Sequence, residues 1–195
     1  MVAACDDGWD PGDPGGRGRP HARALERVGA TPRPILQEAD LDGLNALILP
    51  GGESTTIAKG LDRLDLWDSL RFFVHSGLPM LGTCAGAILL AREVENHPVA
   101  TLDAIDGVVV RNAYGTQVDS FSAEADPGAA RGLEGLPCVF IRAPRWKTLG
   151  DGIEILARVG GEPVLIRQGN VLAATFHPEL TEDLRVHDLL VRSAG

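Results

Sequence analysis

The 195-residue sequence predicts an α/β fold built on a mostly parallel sheet. In the first half, apolar runs such as NALILP and LPMLG alternate with helical segments, and continuous apolar runs are typical of strands buried on both faces. From residue 107 onward short strands follow one another, and the turn QGN joins the last two as a hairpin. These patterns indicate parallel strands first and extra antiparallel strands towards the C-terminus.

The chain begins its regular structure with a predicted helix over residues 20–29. Pro20 suits a first helical position, Gly29 suits the end, and the apolar residues between them share one face. A short strand around residues 33–36 comes next. The strand in NALILP then leads into the glycine-rich stretch LPGGES.

Apolar residues at helical spacing predict further helices over 55–64 and 66–77, and another that begins at or just after Cys84. A C-terminal helix is predicted after Thr181, whose side chain suits a helix cap. The remaining strands are predicted over residues 107–113, 116–124, 138–144, 153–159, 162–168 and 170–176.

Charge and composition exclude several classes of function. The formal net charge is −9 and the basic residues are scattered, so no surface that follows nucleic-acid phosphates is predicted. No apolar run approaches the roughly 20 residues that span a bilayer, so no membrane partner is predicted. The acidic N-terminus lacks the basic start and apolar centre of a secretory signal, and a cytoplasmic location is expected.

The stretch GTCAG places Cys84 between a strand and a helix. A nucleophile on such a turn needs small neighbours, because the backbone is strained and larger side chains would collide with the strand or the substrate. The turn exposes the thiol at the carboxyl end of a parallel strand, and the following helix terminus stabilises a thiolate. The pentapeptide alone leaves a second interpretation open, a buried cysteine on a glycine-rich packing turn.

A base for this thiol is predicted in the segment AATFHPEL. Glu179 follows His177 by two residues, and Pro178 is expected to keep the segment extended, so that both side chains point to the same side. The carboxylate then fixes the tautomer of the ring and leaves its other nitrogen for the thiol proton. By itself, the same tripeptide favours a histidine and a surface glutamate that end a strand.

The other four histidines lack an evident orienting acid. His75 and His187 lie in amphipathic helices and are predicted to be surface or packing residues. His21 and His97 lie near turn-like segments and have no comparable partner in the sequence.

The loop LPGGES is predicted to form a second wall of the site. Two glycines at the end of a buried parallel strand allow a tight turn with exposed amides, close to the edge where open α/β sheets bind ligands. The loop lacks the lysine and the spacing of a P-loop, so an acyl-transfer site fits better than a phosphate site.

Taken together, GTCAGAILLA, LPGGESTTI, RNAYGTQVDSF, VFIRAP and TFHPELTED resemble class I glutamine amidotransferases, and specifically the glutaminase subunit family of pyridoxal 5'-phosphate synthase. The resemblance extends from about residue 21 to the C-terminus. It implies a three-layer, flavodoxin-like α/β fold with a mostly parallel central sheet and extra C-terminal antiparallel strands.

The resemblance also implies a role for each matching residue. Cys84 is the nucleophile, His177 is its base and then the acid for ammonia, and Glu179 orients His177. The product is glutamate, formed from L-glutamine through a glutamyl thioester. The implied glutamine-contacting or oxyanion-binding residues are Gly51, Gly52, Glu53, Ser54, Ala85, Arg111, Ile141 and Arg142.

The partner implied by the resemblance is a synthase subunit with a (β/α)₈ barrel, which receives the ammonia and builds pyridoxal 5'-phosphate (vitamin B6). Docking of the two subunits is expected to arrange the oxyanion hole. No metal and no organic cofactor is implied for the glutaminase itself.

The N-terminus departs from the family pattern. Family members begin with an apolar strand like GVLALQG, whereas CDDGWDPGDPGGRGR stands before the first helix here and cannot form a buried strand. Residues 1–20 are therefore predicted to be an atypical, disordered segment that replaces the first strand, and residues 21–195 to be one domain. A frame error or wrong start is the favoured explanation; a strand role filled otherwise and decay to an inactive relative are the alternatives.

Three other functions remain open. The first alternative is an inactive or scaffold subunit, because the first strand is missing. The second is the glutaminase of another amidotransferase, such as imidazole glycerol phosphate synthase. The third is a thiol hydrolase or protease of the same fold. Loss of glutamate production in Cys84→Ala separates the enzyme from the scaffold. Stimulation only by a different synthase subunit indicates the glutaminase of another amidotransferase. Preferred cleavage of esters or peptides indicates a thiol hydrolase or protease.

Overall fold

The computed structural model describes residues 2–5 by their backbone, and residues 20–113, 120–126 and 129–195 in full. The helices in this part of the chain are α1 (Pro20–Arg27), α2 (Ser54–Arg63), α3 (Trp67–His75), α4 (Ala85–Leu90) and α5 (Arg185–Ser193). The strands are β1 (Val2–Cys5), β2 (Pro32–Ile35), β3 (Ala46–Leu49), β4 (Met80–Thr83), β5 (Ala91–Val94), β6 (Ile105–Val110), β7 (Ser120–Glu124), β8 (Pro137–Ile141), β9 (Arg145–Leu149), β10 (Glu154–Val159), β11 (Glu162–Gln168) and β12 (Val171–Ala174). Two 3-10 helices span Glu38–Leu41 and Pro178–Leu180.

The central sheet has seven strands in the order β10-β11-β12-β4-β3-β1-β2. The strands from β12 to β2 run parallel to one another, and β11 and β10 are added antiparallel at the other edge. Two smaller sheets accompany it, one of β5, β6 and β9 and one of β7 and β8. The predicted combination of a mostly parallel sheet with C-terminal antiparallel strands is confirmed.

The central strands are buried on both faces, because helices pack against both faces of the sheet. In β3, Leu47 and Leu49 belong to one apolar cluster, whereas Ala46 and Ile48 belong to the other. The first cluster includes the inner faces of α2, α3 and α4, and the second includes those of α1 and α5. A sheet between two helical layers follows from this alternation.

The register of the sheet brings three loops to one place. Leu49 at the end of β3 lies beside Gly82 of β4, and Thr83 lies beside Ala174 at the end of β12. The stretches that follow these strands therefore leave the sheet at the same edge, as the carboxyl ends of parallel strands do. They carry the GGES loop, Cys84 and His177.

Most predicted elements are confirmed within a few residues, including the helix that starts at Pro20 and the hairpin turn at Gly169, where φ is 56°. Sequence reasoning missed β5 and β9, which are short strands of the small sheet. Part of the predicted strand over 116–124 and part of the motif RNAYGTQVDSF fall on residues 114–119, which lie outside the described residues.

Two expectations are corrected. The chain has a strand before residue 20: Val2–Cys5 pairs parallel with both β2 and β3, in the position assigned to the missing first strand. Residues 6–19 lie outside the described residues. The prediction of Thr181 as the cap of the last helix is wrong, because α5 begins at Arg185, whose N–H donates to the carboxylate of Asp183 over 2.9 Å.

No helix in the described part of the chain combines the length and the apolar character that crossing a membrane requires.

Candidate active site

Cys84 lies on a strained turn between β4 and α4. Its φ of 47° and ψ of −101° are rare for a residue with a side chain, and such a conformation costs about 1–3 kcal/mol. The turn is held in place by the Cys84 N–H, which donates to the carbonyl oxygen of Ala174 over 2.8 Å. The predicted elbow is therefore present, with the cysteine directly before the first residue of the helix.

The glycines on either side of Cys84 are required by close backbone approach. A Cβ atom at Gly82 would lie 2.6 Å from the carbonyl carbon of Gly86. A Cβ atom at Gly86 would collide with the carbonyl oxygen of Leu49 in β3. Small residues at these positions thus allow α4 to pack directly on the end of the sheet.

His177 faces Cys84 from the stretch that follows β12. Its Nδ1 lies 2.7 Å from Oε1 of Glu179, and its backbone N–H donates to Val139 over 2.8 Å. Burial favours the neutral ring, but the hydrogen bonds and negative charge of Cys84 and Glu179 outweigh it and raise the pKa of His177 to about 10. The raised pKa favours the imidazolium form of the ring.

Glu179 is buried behind the ring. Burial acts to raise the pKa of its carboxyl, but the hydrogen bond to His177 and the electrostatic interactions with His21 and His177 lower it overall. The backbone between the two residues differs from the prediction, because Pro178 starts a 3-10 turn instead of an extended segment. The turn still brings the residues at i and i+2 into hydrogen-bond contact.

The GGES loop packs against this pair. A Cβ atom at Gly51 would collide with Cε1 of His177 and would lie 3.5 Å from Cβ of Cys84. Gly52 has a φ of +125°, which side chains rarely adopt. Both glycines are therefore required by the local geometry, one for close approach and one for conformation.

The charged residues expected to meet glutamine, Glu53 and Arg111, pair with each other. Nη2 of Arg111 donates to Oε1 of Glu53 over 2.7 Å, while Oε2 of Glu53 accepts from the Thr56 N–H and caps α2. Hydrogen bonds, chiefly from Thr55, lower the pKa of Glu53 despite partial burial. Glu53 therefore stays ionised near neutral pH.

A cavity of about 230 Å³ opens over Cys84 and His177. Its lining contains most of the predicted binding residues, namely Gly52, Glu53, Ser54, Arg111, Ile141 and Arg142. Gly51 and Ala85 lie beside the lining. The Ser54 hydroxyl is buried and has no hydrogen-bond partner among the described residues, so a polar ligand atom has a group to contact.

A model of the SNO glutamine amidotransferase family matches residues 15–194. This chain belongs to that family.

Two relatives of this SNO-family chain carry the name pyridoxal 5'-phosphate synthase subunit PdxT. The protein from Thermus thermophilus is 49% identical over 179 residues, which cover 91% of this chain and 92% of its own length. The protein from Frankia alni is 50% identical over 184 residues, 91% of each chain.

A solved structure described as a glutamine amidotransferase superposes with a TM-score of 0.89 at 43% identity, over 100% of this chain and 98% of that one. The class I glutamine amidotransferase fold predicted for the chain is thereby confirmed.

Sequence reasoning missed several residues of this SNO-family site. Ile88 and Asn112 line the cavity. Ile88 lies four residues after Cys84, a helical spacing that predicts a shared face. Behind Glu179 lie His21 and His187, for which the sequence offers no signal, because they are 166 residues apart.

The described residues hold no group of three or more His, Cys, Asp or Glu side chains arranged for a metal ion.

Proposed function

We propose that this chain is the glutaminase subunit of a pyridoxal 5'-phosphate synthase, and that it hydrolyses L-glutamine to L-glutamate and ammonia. The observation that carries the proposal is the contact of His177 with both Cys84 and Glu179 beside one cavity. The names of the relatives from Thermus thermophilus and Frankia alni support the choice of complex.

The first step is attack of the Cys84 sulfur, as a thiolate whose proton is on His177, on the side-chain amide carbon of glutamine. A carbon–sulfur bond forms while the carbonyl electrons move to oxygen. The resulting oxyanion is received by backbone N–H groups, of which Ala85 supplies one, because the first amides of a helix lie outside its hydrogen-bond ladder. Gly51 and Gly52 supply the second wall of this hole.

His177 supplies the proton for the leaving group. As an imidazolium with a pKa of about 10, it holds a proton near neutral pH and donates it as the carbon–nitrogen bond breaks. Ammonia leaves and a glutamyl thioester remains. The neutral ring then takes a proton from water, which attacks the thioester, releases glutamate and restores Cys84.

The cavity is sized for a single amino acid. Its volume of about 230 Å³ is below the roughly 300–1,000 Å³ of sites for larger ligands. Ser54 offers an unpaired hydroxyl, while Glu53 and Arg111 present both signs of charge at the rim. Ile141 and Arg142 close the opposite side, where the Ile141 carbonyl oxygen lies 3.7 Å from the Cys84 sulfur.

The partner is a synthase subunit with a (β/α)₈ barrel that receives the ammonia. Ammonia released into water near neutral pH is protonated and loses its nucleophilicity, so a dry passage between the subunits is needed. Docking completes the oxyanion hole, and the isolated subunit is weakly active. Such a complex forms in the cytoplasm, in agreement with the expectation from the sequence.

One domain carries this function. Both apolar clusters contain alternate residues of the same central strands, which supports treating residues 21–195 as one unit. The strand at Val2–Cys5 adds to the same sheet.

The test is glutamate production by the wild type, Cys84→Ala and Cys138→Ala, each with and without a purified pyridoxal 5'-phosphate synthase subunit. We expect Cys84→Ala to lose almost all activity. Cys138 is the matched control, because it is a buried thiol whose pKa burial raises to about 12, away from the cavity.

Equal glutamate production by Cys84→Ala and the wild type would exclude the enzyme and leave a scaffold subunit. Stimulation only by the synthase of another amidotransferase would change the assigned complex. Preferred hydrolysis of esters or peptides would change the substrate class.

A further inference from the structure

Two buried histidines outside the cavity lie directly behind Glu179. His21 on α1 and His187 on α5 have exposed fractions of 1% and 0%. Nδ1 of His21 lies 3.0 Å from Nε2 of His187, so one ring donates a hydrogen bond to the other. Buried polar side chains are costly unless they are hydrogen-bonded, so the contact between the two rings offsets part of the cost of burying them.

The other side of the His21 ring faces the end of β4 and Glu179. Nε2 of His21 lies 3.1 Å from the hydroxyl of Thr83 and 3.4 Å from Oε2 of Glu179. That carboxylate oxygen is buried and has no hydrogen-bond partner in the part of the chain that the structure describes. Nε2 of His21 is thus a polar neighbour of the oxygen that His177 does not use.

Counting the protons selects one arrangement of tautomers. If Nε2 of His21 carries a hydrogen, it faces Thr83 and Glu179, and Nδ1 accepts from Nε2 of His187. Nδ1 of His187 is then an unprotonated nitrogen, which agrees with its lack of a partner among the described residues. The opposite arrangement buries an N–H of His187 without an acceptor and turns an unprotonated Nε2 of His21 towards the Glu179 carboxylate, which costs more.

We propose that His21, held by His187 and Thr83, is a positioning residue that orients the Glu179 carboxylate towards His177. The inference rests on the proposed function, in which Glu179 orients the base of Cys84. One carboxylate oxygen faces His177 and the other faces His21, so the two rings fix the rotation of the carboxylate from opposite sides. Four separate elements contribute: α1, the end of β4, the 3-10 turn at Pro178–Leu180, and α5.

Neutral histidines suit this task. Burial lowers the pKa of His21, and burial with the neighbouring His21 lowers the pKa of His187 to about 4. The groups that face His21 are Glu179, His177, His187 and Thr83. An uncharged N–H dipole 3.4 Å from Oε2 orients the Glu179 carboxylate without neutralising its charge, which remains available to the His177 ring.

The test compares His21→Leu with His21→Gln in the full chain. Leucine removes the donor, whereas the glutamine amide reaches the position of Nε2. Glutaminase kcat and KM are measured with the synthase subunit, and alkylation of Cys84 by iodoacetamide is followed over pH by peptide mass spectrometry. We expect the leucine variant to lose about tenfold in kcat, as for other outer partners of an oriented histidine, with KM little changed.

The pH profile separates positioning from mere packing. A loosened Glu179 holds the imidazolium less firmly, so the alkylation midpoint of Cys84 moves upward by about one pH unit, and His21→Gln restores it. Leu25→Ala is the control, because Leu25 is a fully buried residue of the same helix that packs in the core. It lowers stability without moving the midpoint.

An unchanged kcat and alkylation profile in His21→Leu would overturn the proposal, as would the same shift in Leu25→Ala. If His21→Leu does not fold, His21→Asn replaces it, because its shorter amide reaches the position of Nδ1 but not Nε2. If the wild type hydrolyses no glutamine, the proposed function fails, and the alkylation profile of Cys84 still decides the role of His21.

Discussion

At the scale of single residues, the candidate site depends on positions where a side chain does not fit. A Cβ atom at Gly51 would collide with the ring of His177. Cβ atoms at Gly82 and Gly86 would collide with the backbone of Gly86 and Leu49. The reactive side chains are thus held by close backbone approach as well as by hydrogen bonds. Function and packing cannot be separated at these glycines.

Gly51→Ala tests this conclusion. The added methyl group collides with His177, so the ring must move away from Cys84, and we expect kcat/KM to fall by about a hundredfold. Gly60→Ala is the matched control, because a Cβ atom at Gly60 in α2 meets nothing within 4 Å. Steady-state glutaminase assays check both variants, and equal activity of Gly51→Ala and the wild type would contradict the close approach.

At the scale of elements, the N-terminal strand decides how complete the sheet is. β1 lies between β2 and β3, so its backbone forms hydrogen bonds on both sides. Without it, the facing edges of β2 and β3 would have no partner. The four residues Val2–Cys5 therefore matter more for stability than their number suggests.

Ala3→Pro tests the role of β1. Proline removes a backbone donor inside a sheet, so we expect the free energy of unfolding to fall by about 1–3 kcal/mol. Ala3→Ser keeps the N–H at similar size and serves as the control. Urea unfolding followed by circular dichroism measures both, and an unchanged midpoint in Ala3→Pro would show that β1 is not a stable part of the sheet.

At the scale of the whole molecule, the buried histidines make stability depend on pH. His187 has a pKa of about 4 in the folded chain and near 6.5 when unfolded. The unfolded chain therefore binds more protons between these values, and the free energy of unfolding falls as the pH falls through this window. His21, whose pKa is also lowered, acts in the same direction.

His187→Gln checks this dependence, because the amide retains a donor towards His21 and does not titrate. Between about pH 7 and pH 5, we expect the wild type to lose about 2 kcal/mol more free energy of unfolding than the variant. Urea titrations at both values give the difference. Parallel losses in the two proteins would mean that His187 is not kept neutral by the fold.

Much of the fold was predictable because its signals are local. The strands β3 and β4, the helix starting at Pro20 and the turn at Gly169 follow from apolar periodicity, proline and glycine. The elbow at Cys84 and the pairing of His177 with Glu179 also depend on neighbours within a few residues. The Thr181 cap failed because the helix begins later, at Arg185, where Leu184 occupies the cap position and Asp183 accepts the Arg185 N–H.

The sequence by itself determined the layered α/β pattern, the turn that carries Cys84 and the closeness of His177 to Glu179, since these depend on short-range order along the chain. Only the tertiary structure decided that Glu53 pairs with Arg111, that Val2–Cys5 enters the sheet, and that His21 and His187 meet behind Glu179. Such contacts join residues far apart in sequence. The packing of separate elements creates these contacts, and local sequence patterns do not predict which distant side chains will be buried together.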